Sequence, residues 1–192
     1  MKNLSYGSLI AFLTILFSCS SGTFSNDSVD SARDINDSIL EEKSPALGMD
    51  FATADFVVNA ASAGMLEVAM ANVARRKAFS VRVRTFGAII ARDDARANEE
   101  LREAARSQGI VLPLGLSADS KKTIDKICKQ KGKEFDKAFM EMMTKNNKEH
   151  VAEFKKASAS CKNRIIKNYA VQSLRMQQEH LDSARAISIP SR

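Results

Sequence analysis

Residues 80–107 read SVRVRTFGAIIARDDARANEELREAARS, and within them Val83, Phe86, Ile90, Ala97, Leu101 and Ala104 recur at alternating steps of three and four residues. That period keeps one face of a helix turned toward a core. Asp94 falls in register on the same stripe. A carboxylate on a core-facing stripe must find a partner, because an unpaired buried charge is costly.

The same rhythm extends on both sides. Residues 53–77 carry Phe56, Ala60, Ala63, Met70 and Ala74 with Glu67 on the stripe. Residues 133–159 carry Phe135, Phe139, Met143, Val151 and Phe154 with Asn147, and residues 162–187 carry Ile166, Tyr169, Ser173, Met176, Ser183 and Ile187 with His180. Four amphipathic helices of similar length predict an all-α, four-helix bundle over 51–188. Between the second and third long helices, Gly109, Pro113 and Gly115 stop the chain from continuing as helix. A long crossover results, in which Ser117 is placed to cap a short extra helix ending near Lys131-Gly132.

Composition agrees. With 44% apolar residues, 8 glycines, 3 prolines and no tryptophan in 192 residues, one helix-rich domain is expected. The N-terminus is different in kind. Lys2 precedes an apolar run, Leu9 to Phe17, too short to span a bilayer stably, which reads as a signal peptide over 1–18. Leu16-Phe17-Ser18-Cys19 resembles a lipobox, so Cys19 is the expected lipidation site. Residues 19–50, rich in Ser, Asp and Asn, read as a disordered acidic tether, and no later segment reads as apolar enough to cross a membrane. From residue 20 to 50 there are seven Asp or Glu against two Lys or Arg, whereas 51–192 hold 26 Lys or Arg against 16 Asp or Glu. Because the bases run along every helix, a solvated surface is the plainer account, with anionic lipid, an anionic envelope polymer or a protein partner as alternatives. An exported lipoprotein would seldom meet nucleic acid.

Asp55-Phe56 with Ala60, Ala61, Gly64 and Glu67, then Arg92-Asp93-Asp94-Ala95-Arg96-Ala97-Asn98-Glu99-Glu100-Leu101, then Leu112-Pro113, Phe135-Asp136-Lys137-Ala138-Phe139 and His180-Leu181 together resemble the bacterial domain of unknown function four-one-four-two, a family often called predicted outer membrane proteins. The resemblance runs over nearly all of 52–187. It implies a ferritin-like bundle and an outer-membrane location facing the periplasm, which Ser20 after Cys19 also favours. Members commonly show an Asp-His pair in the second helix and another in the third, where this chain has Asp93-Asp94 and Asn146-Asn147.

Glu67, Asp94, Asn147 and His180 are thus expected to share a polar layer in the core. Ferritin-like dinuclear centres need Glu-x-x-His on two helices, but Gln177 stands three residues before His180 and Asn147 three before His150. A single divalent metal held by Glu67, Asp94 and His180 is the alternative to a cofactor-free, hydrogen-bonded layer. His150 reads as an exposed or boundary residue.

Cys128 and Cys161 flank the third long helix, about 40 Å apart at 1.5 Å per residue, beyond disulfide reach unless the crossover folds back. No Cys-x-x-Cys, nucleophile elbow or phosphate-cradling loop is present. Met140, Met142, Met143 and Met176 read as core filler rather than copper ligands. The expectation is therefore a non-enzymatic, envelope-anchored structural or partner-binding bundle, with metal binding or storage as the alternative.

Overall fold

The computed structural model describes residues 27–47 and 49–188. Six helices and no strands lie among the described residues: α1 (Ser28–Leu47), α2 (Phe51–Lys77), α3 (Val81–Ser107), α4 (Ala118–Cys128), α5 (Gly132–Ser160) and α6 (Arg164–Ser188). The expected signal peptide over 1–18 and the expected lipidation site Cys19 lie outside the described residues.

The four long helices α2, α3, α5 and α6 close a ring of contacts: α2 on α3, α3 on α6, α6 on α5 and α5 on α2. Local chemistry sets their ends. Asp50 caps α2, its Oδ1 accepting from the Thr53 amide at 2.9 Å and the Thr53 hydroxyl at 2.6 Å. In the crossover, Ser117 Oγ accepts from Ser120 N at 3.0 Å and starts α4, as its position implied. Ser80 makes no side-chain cap for α3. That duty passes to Asp136 of α5, whose two oxygens accept from Phe79 N at 2.8 Å and Ser80 N at 2.7 Å. One carboxylate so ties the α2–α3 turn to the start of α5.

Two glycines let α2 and α3 approach closely. A Cβ on Gly87 would meet Ala74 Cβ and Arg75 N, each at 3.0 Å, and one on Gly64 would collide with the Asn98 amide. Contrary to the reading that no segment after the leader could cross a bilayer, α2 is long and apolar enough to do so by length and composition. Its apolarity has a different use. Among these helices α2 touches α1, α3, α4 and α5, and Val57, Val58, Met70, Ala71 and Ala74 are buried.

The tether expected over 19–50 is overturned from Ser28 onward, where α1 forms a 20-residue helix. Val29, Ala32, Asn36 and Leu40 fall on one face, and all are buried. Docking supplies what composition alone does not. Asn36 donates from Nδ2 to the Val111 carbonyl at 2.9 Å and accepts from Val111 N at 2.8 Å. Ser28 Oγ donates to Gly115 O at 2.6 Å, and Asp27 accepts from Val29 N at 2.9 Å and from Ala118 N, at the start of α4, at 2.7 Å. Arg33 reaches Asn59 at 2.6 Å and Asp55 at 3.4 Å on α2. Bonds of this kind give backbone groups of α1 and the crossover partners that solvent would otherwise supply.

The apolar core has two main parts. One gathers Val57, Leu101, Phe154, Ile166 and Ala170, and the other gathers Met70, Phe86, Ile90, Phe135, Phe139 and Met143. On every long helix the polar stripe residues fall between the two.

Candidate functional site

Glu67, Asp94, Asn147 and His180, read from the stripes, are all buried at 4% exposure or less. The ring of helices brings them to one level. Asn147 donates to Glu67 Oε1 at 3.4 Å and to the Met143 carbonyl, one turn earlier, at 2.8 Å. His180 lies between two carboxylates of α3, its Nδ1 3.6 Å from Asp94 Oδ1 and its Nε2 3.5 Å from Asp93 Oδ2.

His150, expected at the boundary, is instead buried beside Glu67, with Nδ1 3.5 Å from Oε2. It stands one helical step from Asn147, and residues three apart share a face, so rotation of α5 that buries Asn147 buries His150 too. The same nitrogen lies 3.3 Å from Gln177 Oε1. Gln177, noted in the sequence only for lacking a carboxylate, is therefore a partner of the layer. Asp93 was likewise missed, although it adjoins Asp94 and lies one step toward solvent.

Electrostatics assign the protons. Burial works against a charged His150, but the Glu67 carboxylate, its hydrogen bond and that of Gln177 outweigh it and push the imidazole up to about 9. Burial first, and then the Glu67 charge, hold Asp94 well above the usual carboxylate range. Burial also holds His180 below its ordinary value, with Glu67 and Asp93 pulling the other way. Asp93 is held low chiefly by its hydrogen bond from Arg92 at 2.8 Å. The interior thus favours a charged imidazole at His150 beside Glu67 and disfavours charge on Asp94 and His180. That arrangement buries few net charges, as a low-dielectric core requires.

Several atoms lack hydrogen-bond partners among the protein groups: Glu67 Oε2, both oxygens of Asp94, Asn147 Oδ1 and both ring nitrogens of His180. Among the described residues, no three His, Cys, Asp or Glu side chains are grouped so as to hold a metal ion. Glu67, Asp94 and His180 share the layer, but Glu67 is already engaged by His150.

The layer approaches the surface at two places. His150 lines a cleft of about 480 Å³ between α1, α2, α4 and α5, with Asp119, Glu149 and Glu153 among its walls. On the other side, Asp93 lines a cleft of about 610 Å³ with Arg92, Arg96 and Arg175. Cys128 and Cys161 are free thiols, as the length of α5 implied.

No curated protein and no solved structure matches the chain. Residues 40–187 match the family described as Domain of unknown function (DUF4142), beginning within α1 and ending near the close of α6. With that match spanning most of the sequence and all four helices of the ring, the chain belongs to the DUF4142 family.

Proposed function

We propose that the chain is an envelope lipoprotein, exported by its leader and acylated at Cys19, whose ferritin-like four-helix bundle is a non-catalytic binding module held at the periplasmic face of the outer membrane. The observation that carries this reading is the burial of the layer's centre, with Glu67 0%, Asp94 2% and His180 4% exposed and only His150 and Asp93 meeting surface clefts. Acid–base chemistry on a substrate needs the catalytic atom within hydrogen-bond reach of the reacting group. Here the carboxylates and imidazoles face one another across the core and serve packing and alignment. Function then belongs to the outer surface. The folded α1 supports close attachment, because only seven residues lie between Cys19 and Asp27, and the eight steps span at most about 29 Å.

Metal content and melting temperature of the purified full chain, prepared without chelator, test this reading beside a Glu67→Ala, His180→Ala double variant. The proposal expects no stoichiometric metal and a melting temperature indifferent to added divalent ions. Mass measurement of the membrane-extracted chain checks acylation at Cys19.

A second reading is favoured by one observation, the unpartnered atoms of Asp94 and His180. A single divalent cation could use them if Glu67 exchanged His150 for the ion. Binding to the native state alone would then add about 2.7 kcal/mol of stability at a hundredfold excess over Kd and raise the melting temperature, and the double variant would lose the effect.

A further inference from the structure

The end of the domain remote from the start of α2 gathers charge from three helices. Arg75, Arg76 and Lys77 close α2, Lys129, Lys131 and Lys133 surround the α4–α5 turn, and all six are exposed. The two turns are fastened side by side. Lys77 Nζ donates to the Cys128 carbonyl and lies 5.0 Å from the centre of the Phe135 ring, while Asp136 holds the amides of Phe79 and Ser80. From this pole project Phe79, 62% exposed, and Val81, 66% exposed.

Local stability does not account for the pattern. Bases at the end of α2 suit the negative end of its dipole, but Lys131 and Lys133 stand at the start of α5, where cations are disfavoured. Two large apolar side chains left in solvent beside them contribute nothing to the core. Acids stand among the bases at both ends, Asp125 and Glu134 here and Asp50, Asp55, Glu103 and Glu153 at the opposite pole, so it is the pairing of six exposed bases with Phe79 and Val81 that marks this one.

We propose that this pole docks on an anionic phospholipid surface, with Phe79 and Val81 entering the boundary between headgroups and acyl chains and the six bases facing phosphates. Apolar tips flanked by Lys and Arg are the combination that an anionic interface holds, through buried apolar area and charge attraction together. The inference rests on the reading of the chain as membrane-anchored, and the geometry allows both contacts at once. Asp27 and Leu66 line the same cleft, and Phe79 lies roughly 20 Å farther along α2 at 1.5 Å per residue. That distance is within the reach of the seven residues between Cys19 and Asp27.

Because the chain has no tryptophan, Phe79→Trp creates a single reporter at an exposed position. The full chain carrying it is mixed with vesicles of phosphatidylglycerol or of phosphatidylcholine, and emission is followed as salt is raised. On anionic vesicles Trp emission should shift to the blue and return toward the aqueous value with salt, while neutral vesicles leave it unchanged. Replacing Lys129, Lys131 and Lys133 by Ala should raise the lipid concentration at half-shift about a hundredfold, at about fivefold per charge. A Phe51→Trp reporter at the other pole should keep its aqueous emission.

No shift on anionic vesicles, equal shifts on both lipids, or an equal shift at the Phe51 position would overturn the docking pole. The intact mass of the membrane-extracted chain separates the two readings. An acylated chain with a silent reporter overturns the pole and leaves the anchor. An unacylated chain whose reporter responds, as should a Cys19→Ser variant, supports the pole and overturns the anchor.

Discussion

Replacing His150 by Phe fills a similar volume and leaves the Glu67 carboxylate, 0% exposed, without its counter-charge. The size of the effect follows from the imidazole itself. Its rise from 6.5 to about 9 corresponds to about 3 kcal/mol of preferential proton binding in the folded state. Breaking a buried ion pair by removing one partner costs about 3–5 kcal/mol in general, so the two routes agree. For a domain of this size about 3 kcal/mol lowers the melting temperature by about 6–12 °C. Urea and thermal unfolding followed by circular dichroism at pH 6 would read it. A Glu67→Gln, His150→Phe double variant should recover most of the loss, since no buried charge is then left alone. The sign of the pH dependence is also set. The folded-state value lies above the unfolded one, so the contribution is complete below pH 6.5 and fades as pH climbs through about 9. The wild-type advantage over His150→Phe should shrink accordingly. A single variant within about 1 kcal/mol of wild type, or an advantage flat from pH 6 to 9.5, would show that the pair carries no such energy.

Gly87→Ala should destabilise by about 1–3 kcal/mol in urea titration, because the new methyl meets the backbone of α2 at Arg75 N and Ala71 O rather than a movable side chain. Asn36→Ala leaves the amide and carbonyl of Val111 without their side-chain partner. The expected cost is about 1–3 kcal/mol, with amide exchange rising in α1 and residues 110–117 while α5 and α6 stay protected. Asp27 is held below its ordinary 3.8 by the amides of Ala118 and Val29. A depressed carboxyl stabilises the fold in full above that value and loses the contribution as pH falls below it through the lower folded-state value, so α1 should loosen in acid. Protection of the α1 amides relative to their intrinsic exchange should fall from pH 5 to pH 3 in the wild type and start low in Asp27→Asn.

The long helices were legible because each repeats one apolar face over about five or six turns, and the residues that break that face, Glu67, Asp94, Asn147 and His180, were legible for the same reason. His150, Gln177 and Asp93 were not. Each stands one position or one turn away from its stripe, where helix rotation decides between core and solvent, and no local pattern reports rotation. Asp136 was hidden differently: it caps a helix on another part of the chain, and a contact 56 and 57 residues distant leaves no mark on spacing. In α1 the stripe Val29, Ala32, Asn36 and Leu40 was present, but Ser, Asp and Asn around it carry weak helix propensity. Tertiary hydrogen bonds from Asn36, Ser28 and Asp27 outweigh that propensity.

The layer's position between two apolar clusters also decides how the helices can be aligned. Sliding α2 by a single turn moves its side chains about 5.4 Å, which would carry Glu67 toward Phe135, Phe139 and Met143 on one side or toward Leu101 and Phe154 on the other. Apolar faces alone would tolerate such a slip, since Leu, Met and Phe pack nearly as well one turn along. A carboxylate that finds a protonated imidazole at only one level does not. The layer is thus a vernier mark, fixing one register among several that hydrophobic packing would leave nearly equal in energy.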